Sequence, residues 1–135
     1  MRNESNLSKV RIIELPKVLD CRGNLTHIES MRHVPFEIRR VYYIYDVPGG
    51  TVRGAHANKT NQSLLIAISG SFRMNLSDGV DSHKYELKRA HYGLYIPPMI
   101  WRSLDNFSSG SLCLVLASEP YDAGDYYRDY DDYLQ

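Results

Sequence analysis

Short segments rich in Val, Ile, Leu, Tyr and Ser alternate with turn sequences along most of the chain, and no long helical periodicity interrupts them. The segments are VRIIEL, LTHIES, RRVYYIYDV, SLLIAISGSFRMNL, HKYEL, GLYIP and SLCLVLAS, and the turns include CRGN, VPGG, SDGVDS and NFSSG. Many short strands at close spacing are typical of a β-sandwich or β-barrel. Since 135 residues fit one domain with one core, we expect a single all-β domain over residues 1–135.

Charge and cysteine content exclude several classes of protein. The formal net charge is zero, which gives no overall attraction to nucleic acid or to a membrane surface. The N-terminal residues have no apolar signal core, and no apolar run reaches the roughly 18 residues of a spanning helix. Cys21 and Cys113 lie far apart without C-x-x-C spacing, which favours free thiols in a reducing compartment. We therefore expect a cytoplasmic protein with no nucleic-acid or membrane partner.

Two further patterns predict local structure. In SFRMNLSDGVDSHKYEL, Asp78-Gly79 supplies residues that tolerate positive φ, which predicts a β-hairpin. The C-terminal stretch EPYDAGDYYRDYDDYLQ places Tyr126, Tyr130 and Tyr133 at i, i+4 and i+7, which predicts one short helix. We expect its rings to pack on the barrel or on a second subunit; a solvated acidic tail is the alternative.

The stretch Arg53 to Gln62, RGAHANKTNQ, resembles the metal-binding strand of the cupins, whose pattern is G-x-H-x-H-x3-E. Asn58 replaces the second histidine of that pattern, and Gln62 replaces its glutamate. The later cupin histidine, in P-x-G-x-x-H, falls in PPMIWR, where the last position is Arg102. Amides and a protonated guanidinium around one imidazole do not make a transition-metal site. We expect a cupin (jelly-roll-like) β-barrel, with a short C-terminal helix or tail, that holds no metal.

His56 is the one cupin ligand that remains, and it suits proton transfer because its ordinary pKa lies near neutral pH. Alternate residues of a strand share a face, so we expect Gly54, His56 and Asn58 to point together into the barrel. A hydrogen-bonded structural role for His56 is an equally open alternative. Other residues can bind a phosphate group or stack on a base or sugar. The basic candidates are Arg22, Arg40, Arg53 and Lys59, and the aromatic ones include Tyr43, Tyr95 and Trp101.

Longer matches point to one family. FEIRRVYYIYD, RGAHANK, GLYIPPMIW, NFSSG and LVLASEPYDAGDYYRDYDDY resemble segments of the dTDP-sugar 3,4-ketoisomerases. The resemblance runs from Arg11 to Tyr133, nearly the whole chain. RGAH is also similar to the R-G-x-H of the dTDP-sugar 3,5-epimerases, a second group of metal-free cupins.

The resemblance implies a homodimeric cupin that converts dTDP-4-keto-6-deoxyglucose into the 3-keto sugar, a precursor of 3-amino sugars for surface polysaccharides such as the O-antigen. A base removes the proton next to the C4 ketone, an enediol forms, and a proton returns to C4. No cofactor takes part. The implied catalytic residues are His56 and Asn58. The implied substrate-binding residues are Arg22, Arg40, Tyr43, Arg53, Ser63, Tyr95 and Arg102.

Two positions depart from the family pattern, which usually has H-x-H where this chain has His56-Ala57-Asn58, and Gln where it has Ser63. An amide cannot carry a catalytic proton at neutral pH. A divergent natural enzyme, a non-catalytic nucleotide-sugar-binding relative and a laboratory His→Asn substitution all fit Asn58, and Ser63 favours natural divergence. Family members vary where this chain has Arg22 and Arg102, so the C4 configuration of the product stays open. A 3,5-epimerase is the other enzymatic alternative.

Overall fold

The computed structural model describes residues 5–135, and ten β-strands are their main regular structure. The strands are β1 Arg11–Glu14, β2 Arg40–Tyr45, β3 Arg53–Asn58, β4 Ser63–Ser69, β5 Phe72–Ser77, β6 Ser82–Leu87, β7 Tyr92–Ile96, β8 Trp101–Asp105, β9 Leu112–Ala117 and β10 Tyr126–Tyr127. One antiparallel sheet has the order β1-β7-β4-β9-β2, and the other has the order β10-β3-β8-β5-β6. Short 3-10 helices lie at Leu7–Lys9 and Ala123–Asp125. This architecture confirms the predicted all-β fold.

The two sheets enclose the main core because their strands turn apolar side chains inward at alternate positions. In β5, buried Phe72, Met74 and Leu76 alternate with half-buried residues. The side chains that join them from the first sheet include Leu65, Leu94, Ile96, Cys113 and Val115. The predicted β5–β6 hairpin is confirmed, with Gly79 at a φ of 93° in its loop.

The segment between β1 and β2 lies over the first sheet and makes a second core. Leu15, Val34 and Phe36 are its buried anchors. The prediction of a strand at LTHIES is wrong, because residues 25–30 form only isolated bridges. Ile28 packs on the second core, whereas Leu25 is exposed. The strand-like composition of this stretch therefore belongs to a loop that lies on a sheet and that forms no strand pair within the described residues.

The acidic C-terminal stretch differs from the predicted helix. The helix α1 covers only Tyr130–Leu134, because the Asp129 carboxylate accepts backbone N–H hydrogen bonds of the first turn and so fixes where the helix begins. Tyr126 instead lies in β10, which pairs with β3. Tyr133 is buried, and its hydroxyl donates to the carbonyl oxygen of Met99 at 2.8 Å. The rings of this stretch thus pack on its own barrel, which is one of the two packing arrangements we expected, the other being packing on a second subunit.

Both cysteines are free thiols, as predicted, with Cys21 exposed and Cys113 buried. Burial raises the pKa of the Cys113 thiol to about 12, which makes it unreactive at neutral pH. Among residues 5–135, none of the helices has the length and apolar character needed to cross a bilayer.

Candidate active site

A cavity of about 630 Å³ opens between the two sheets. Its walls come from β2, β3, β8 and the stretch of residues 121–128. Within the described part of the chain no carboxylate lines the cavity, whereas arginines and tyrosines do. The arginines are Arg40, Arg53, Arg102 and Arg128, and the tyrosines are Tyr42, Tyr43, Tyr45, Tyr121 and Tyr126. An electropositive cavity with aromatic walls suits an anionic ligand that carries a flat ring.

His56 reaches the cavity because β3 is irregular just before it. The register between β3 and β8 shifts between Arg53 and His56, which marks a β-bulge. Gly54 has a φ of 68° there, a backbone conformation that favours glycine. A Cβ at this position would also lie 3.0 Å from the Leu104 side chain, so the close packing favours glycine as well. Beyond the bulge, His56 pairs in register with Arg102. The motif comparison placed Arg102 at the last cupin ligand position, and the register confirms that it neighbours His56.

The His56 imidazole is neutral at physiological pH. Burial, followed by the positive charges of Arg102 and Arg128, lowers the pKa of His56 to about 3. The His56 ring lies against Tyr126, with 4.9 Å between the ring centroids. A neutral imidazole has one nitrogen lone pair and one N–H, so it can accept a proton from a bound ligand.

Arg102 is buried, and it forms no ion pair with any of residues 5–135. The residue is 3% exposed, and its Nη1 donates to the Ser63 hydroxyl at 3.4 Å. Its Nε and Nη2 have no hydrogen-bond partner among the described residues. Burial lowers the pKa of the guanidinium, which nevertheless stays protonated. Because an unpaired buried charge destabilises a fold, this arrangement suits a ligand that brings the missing acceptor oxygens.

Two other cations of the cavity, Arg40 and Arg128, lie over aromatic rings. The Arg40 guanidinium is 5.1 Å from the Tyr42 ring centroid and 5.7 Å from that of Tyr121. The Arg128 guanidinium is 4.4 Å from the Tyr126 ring centroid. The Nε of Arg40 is a third buried donor that finds no acceptor within residues 5–135. Cation–π contacts of this kind hold the guanidinium groups in place at the cavity wall.

The cavity brings together part of the predicted site. The residues that line it are His56, Arg40, Tyr43, Arg53 and Arg102. Asn58 and Ser63 are fully buried outside the lining. The Ser63 hydroxyl accepts a hydrogen bond from the lining residue Arg102, and Asn58 Nδ2 donates to Asp125.

Three other candidates lie away from the cavity. Tyr95 belongs to the second core, and its hydroxyl donates to Gln62 Oε1 at 2.6 Å. Arg22 is exposed on the segment between β1 and β2 and pairs with Asp20 at 2.6 Å. Lys59 lies 4.9 Å from the Tyr127 ring centroid and does not line the cavity.

Sequence reasoning missed the contribution of the C-terminal stretch. Tyr121, Tyr126 and Arg128 line the cavity, and Asp125 lies directly behind it. The sequence did point to a functional role for this stretch, since YDAGDYYR is part of the longest segment that resembles the ketoisomerases. Its assignment to a helix hid the strand pairing that carries these residues to β3.

The cavity does not offer the donors of a metal centre. His56 faces a guanidinium, and its nearest polar neighbour on β3 is an amide. Within the described chain, the group of His, Cys, Asp or Glu that could hold an ion is His27, Glu29 and His33, on the segment that covers the first sheet. That group is already paired internally, because Arg32 binds Glu29 at 2.8 Å and the Glu29 N–H donates to His33 Nδ1.

Residues 8–135 match the family model described as FdtA: WxcM-like, C-terminal. The chain belongs to this family. A WxcM-like relative from Aneurinibacillus thermoaerophilus, TDP-4-oxo-6-deoxy-alpha-D-glucose-3,4-oxoisomerase, is 41% identical over 123 residues, which are 91% of this chain and 88% of the relative.

Solved structures agree with that membership. A mutant of the 3,4-ketoisomerase QdtA from Thermoanaerobacterium thermosaccharolyticum, in complex with TDP-4-keto-6-deoxyglucose, is 40% identical with a TM-score of 0.93, and the match covers 95% of this chain and 93% of QdtA. WlaRB, a TDP-quinovose 3,4-ketoisomerase from Campylobacter jejuni, is 45% identical with a TM-score of 0.91, and the match covers 95% and 98% of the two chains. The predicted cupin fold and the predicted family are therefore confirmed.

The depressed pKa of His56 makes the stability of this WxcM-like protein depend on pH. The unfolded chain takes up a proton near the ordinary value of 6.5, and the folded protein does so only near 3, so stability falls as the pH drops through this window. Between pH 7 and pH 5 we expect the free energy of unfolding to fall by up to about 2 kcal/mol from this group. Urea unfolding at both pH values should show a smaller fall in His56→Gln. An equal fall in both proteins would contradict the shift.

Proposed function

We propose that this protein is a sugar-nucleotide 3,4-ketoisomerase that moves the keto group of dTDP-4-keto-6-deoxyglucose from C4 to C3. The observation that carries the proposal is the register pair of His56 and Arg102, a neutral base beside a buried guanidinium with unused donors. The WxcM-like relatives named above, which include 3,4-ketoisomerases of such sugars, support the same reaction.

The chemistry needs one base and one oxyanion site. His56 accepts the proton on C3, which is acidic because it is α to the C4 ketone, and the electron pair of the C–H bond forms the C3–C4 double bond. Arg102 donates hydrogen bonds to the oxygen that becomes negative in this step. His56 then returns a proton to C4, while the 3-hydroxyl loses its proton and the C4 oxygen gains one, which leaves a ketone at C3 and a hydroxyl at C4. The electrons stay within the substrate, so the reaction needs no cofactor.

The remaining cavity residues bind the dTDP group in this proposal. Arg40, Arg53 and Arg128 supply positive charge for the diphosphate, since charge-assisted hydrogen bonds to phosphate are strong. Tyr43 and Tyr121 offer ring faces for the thymine or the sugar.

The buried candidates act indirectly. Ser63 accepts a hydrogen bond from Arg102, and Asn58, two residues after His56 on β3, donates one to Asp125. Arg22 and Tyr95 have no place in the proposed site, because neither lines the cavity.

The product of this reaction is a suitable substrate for an amination step. A ketone at C3 is the group that a transaminase converts into an amine, so the product would supply 3-amino sugars for glycans such as the O-antigen. A cytoplasmic setting is part of this proposal. Two free thiols, one of them exposed, are compatible with a reducing compartment.

We further propose a homodimer, because β2 is the last strand of its sheet and is paired on one side only. It presents Val41, Tyr43 and Tyr45 at exposures of 56%, 60% and 59%. Such an edge is a template for pairing with another chain. We expect light scattering to give twice the chain mass of 15.6 kDa, and Val41→Arg to weaken the dimer. Val80→Arg, in the exposed β5–β6 loop, is the control. A wild-type monomer at micromolar concentration would refute the dimer.

NMR of the sugar ring during incubation with dTDP-4-keto-6-deoxyglucose in D2O tests the reaction. We expect the ketone signal to move from C4 to C3 and solvent deuterium to enter at C4. Deuterium at C5 would identify a 3,5-epimerase instead. Binding of dTDP with neither isomerisation nor exchange would identify a nucleotide-sugar-binding protein without turnover.

A further inference from the structure

Tyr126 is a residue of the cavity wall that contacts both the proposed base and the proposed phosphate-binding cations. Its ring lies against the base, with 4.9 Å between the Tyr126 and His56 ring centroids. Its hydroxyl accepts a hydrogen bond from Arg40 Nη2 at 3.4 Å. The Arg128 guanidinium lies 4.4 Å from the centroid of the same ring. The proposed mechanism gives these contacts no role, although one side chain makes all of them.

Strand pairing fixes the position of Tyr126 in the fold. Tyr126 pairs in register with Asn58, so β10 is attached to the strand that carries His56. The preceding residue, Asp125, is buried, and its Oδ1 accepts hydrogen bonds from the Thr60 N–H at 2.8 Å and the Thr60 hydroxyl at 2.6 Å. The Tyr126 side chain therefore projects from an anchored stretch of backbone, and such a side chain can order its neighbours.

The Tyr126 ring restricts the orientation of the His56 imidazole. The separation of the two ring centroids lies in the usual range of aromatic pairs, and the planes are tilted by 53°. Rotation of the imidazole about its side-chain bonds would break this packing. A base must aim its lone pair at the proton that it removes, and a misplacement of about 1 Å can lower a rate about 100-fold. We therefore expect the ring to affect kcat.

The Tyr126 hydroxyl acts on a different group, the Arg40 guanidinium. Arg40 forms no ion pair with any of residues 5–135, and it lies over the rings of Tyr42 and Tyr121. Because a guanidinium is planar, a hydrogen bond at one nitrogen sets the direction of its other N–H groups. The hydroxyl thus orders an arginine that keeps its charge for a phosphate group, and we expect it to affect nucleotide binding.

We propose that Tyr126 is a positioning residue with two separable parts: its ring orients His56 for proton transfer, and its hydroxyl orients Arg40 for nucleotide binding. The proposal rests on the proposed function for its effect on turnover, whereas the ordering of the two neighbours does not depend on any activity. A merely structural tyrosine would not divide its effects between kcat and the Kd for dTDP in this way.

The test compares Tyr126→Phe with Tyr126→Leu. Phenylalanine keeps the ring and lacks the hydroxyl, so we expect the Kd for dTDP to rise about 2- to 10-fold, the cost of ordering one long side chain on binding, while kcat stays near wild type. Leucine lacks both parts, so we expect the same rise in Kd and a fall in kcat on the order of 100-fold. NMR of the His56 ring should show broadened or multiple signals in Tyr126→Leu only, because the imidazole then has more than one orientation.

Tyr127→Phe is the matched control, because it removes a hydroxyl from the other residue of β10, which does not line the cavity. We expect it to change neither Kd nor kcat. A variant of Arg40 identifies the group through which the hydroxyl acts. Tyr126→Phe should add little to the rise in Kd that Arg40→Gln causes, since two changes on one path are not additive.

Equal losses of kcat in Tyr126→Phe and Tyr126→Leu would make the hydroxyl a participant in the reaction and overturn the positioning role. Wild-type Kd, kcat and His56 signals in both variants would overturn it as well. If Tyr126→Leu does not fold, Tyr126→Met provides the same comparison. A rise in Kd and altered His56 signals, in a protein whose wild type has no isomerase activity, would instead uphold the positioning and refute the proposed function.

Discussion

His56→Ala is expected to lower kcat on the order of 100-fold or more, the usual effect of removing a general base. The Kd for dTDP should change little, because the arginines and tyrosines proposed to bind it lie elsewhere on the cavity wall. Steady-state kinetics together with calorimetric titration of dTDP separates the two effects. His83→Ala, which removes an exposed histidine of β6, is the control and should keep wild-type turnover.

Undiminished turnover in His56→Ala would remove the catalytic assignment and leave His56 as a structural residue.

The variant Asn58→His tests the same strand by the opposite change, the gain of a histidine. It returns an imidazole to the position where the ketoisomerases usually have one, and we expect it to raise isomerase activity. A neutral imidazole can keep the hydrogen bond of Asn58 to Asp125, since one of its nitrogens is a donor.

Arg102→Met is expected to have two large effects of opposite sign. The fold should gain about 1–4 kcal/mol in free energy of unfolding, the range observed when buried charges are replaced by apolar side chains. Turnover should fall by a factor of roughly 100 to 1,000, as when one donor of an oxyanion site is removed. The pKa of His56 should also rise, because the charge of Arg102 is one cause of its depression.

Urea unfolding and kcat measure these two effects on the same protein. Arg32→Met, which breaks the exposed pair with Glu29, is the control and should change neither quantity noticeably. A less stable but fully active Arg102→Met protein would show that the guanidinium serves the fold and not the reaction.

The sequence predicted those parts of the fold that depend on local pattern. The segments that became β2, β4, β5 and β9 were identified because they are rich in strand-forming residues and are bounded by turn sequences. Trp101–Asp105 in β8 was not identified, since WRSLD mixes charged, polar and apolar residues. Residues 25–30 have a strand-like composition but no partner strand, and pairing is a property of the whole fold.

The candidate site, like the fold, could be predicted from the sequence only in part. The neighbour of His56 was predictable, because motif spacing encodes the register that brings Arg102 opposite it. Composition could not reveal which surface the other candidates occupy, so Arg22 and Tyr95 were grouped with residues of the cavity. The role of Tyr126 depends on a strand pair far apart in sequence, which no local pattern contains.

The docking of the C-terminal stretch also has an optical consequence. Trp101 is the single tryptophan of the chain, and its ring centroid lies 5.1 Å from that of Tyr130 and 5.7 Å from that of Tyr133. Indole emission responds to such neighbours, so α1 must change the fluorescence of Trp101 when it settles on the barrel. Refolding followed by tryptophan emission would therefore time the docking of α1 on the barrel. Nucleotide binding should return no earlier than that signal, because the cavity lacks a wall until this stretch is in place.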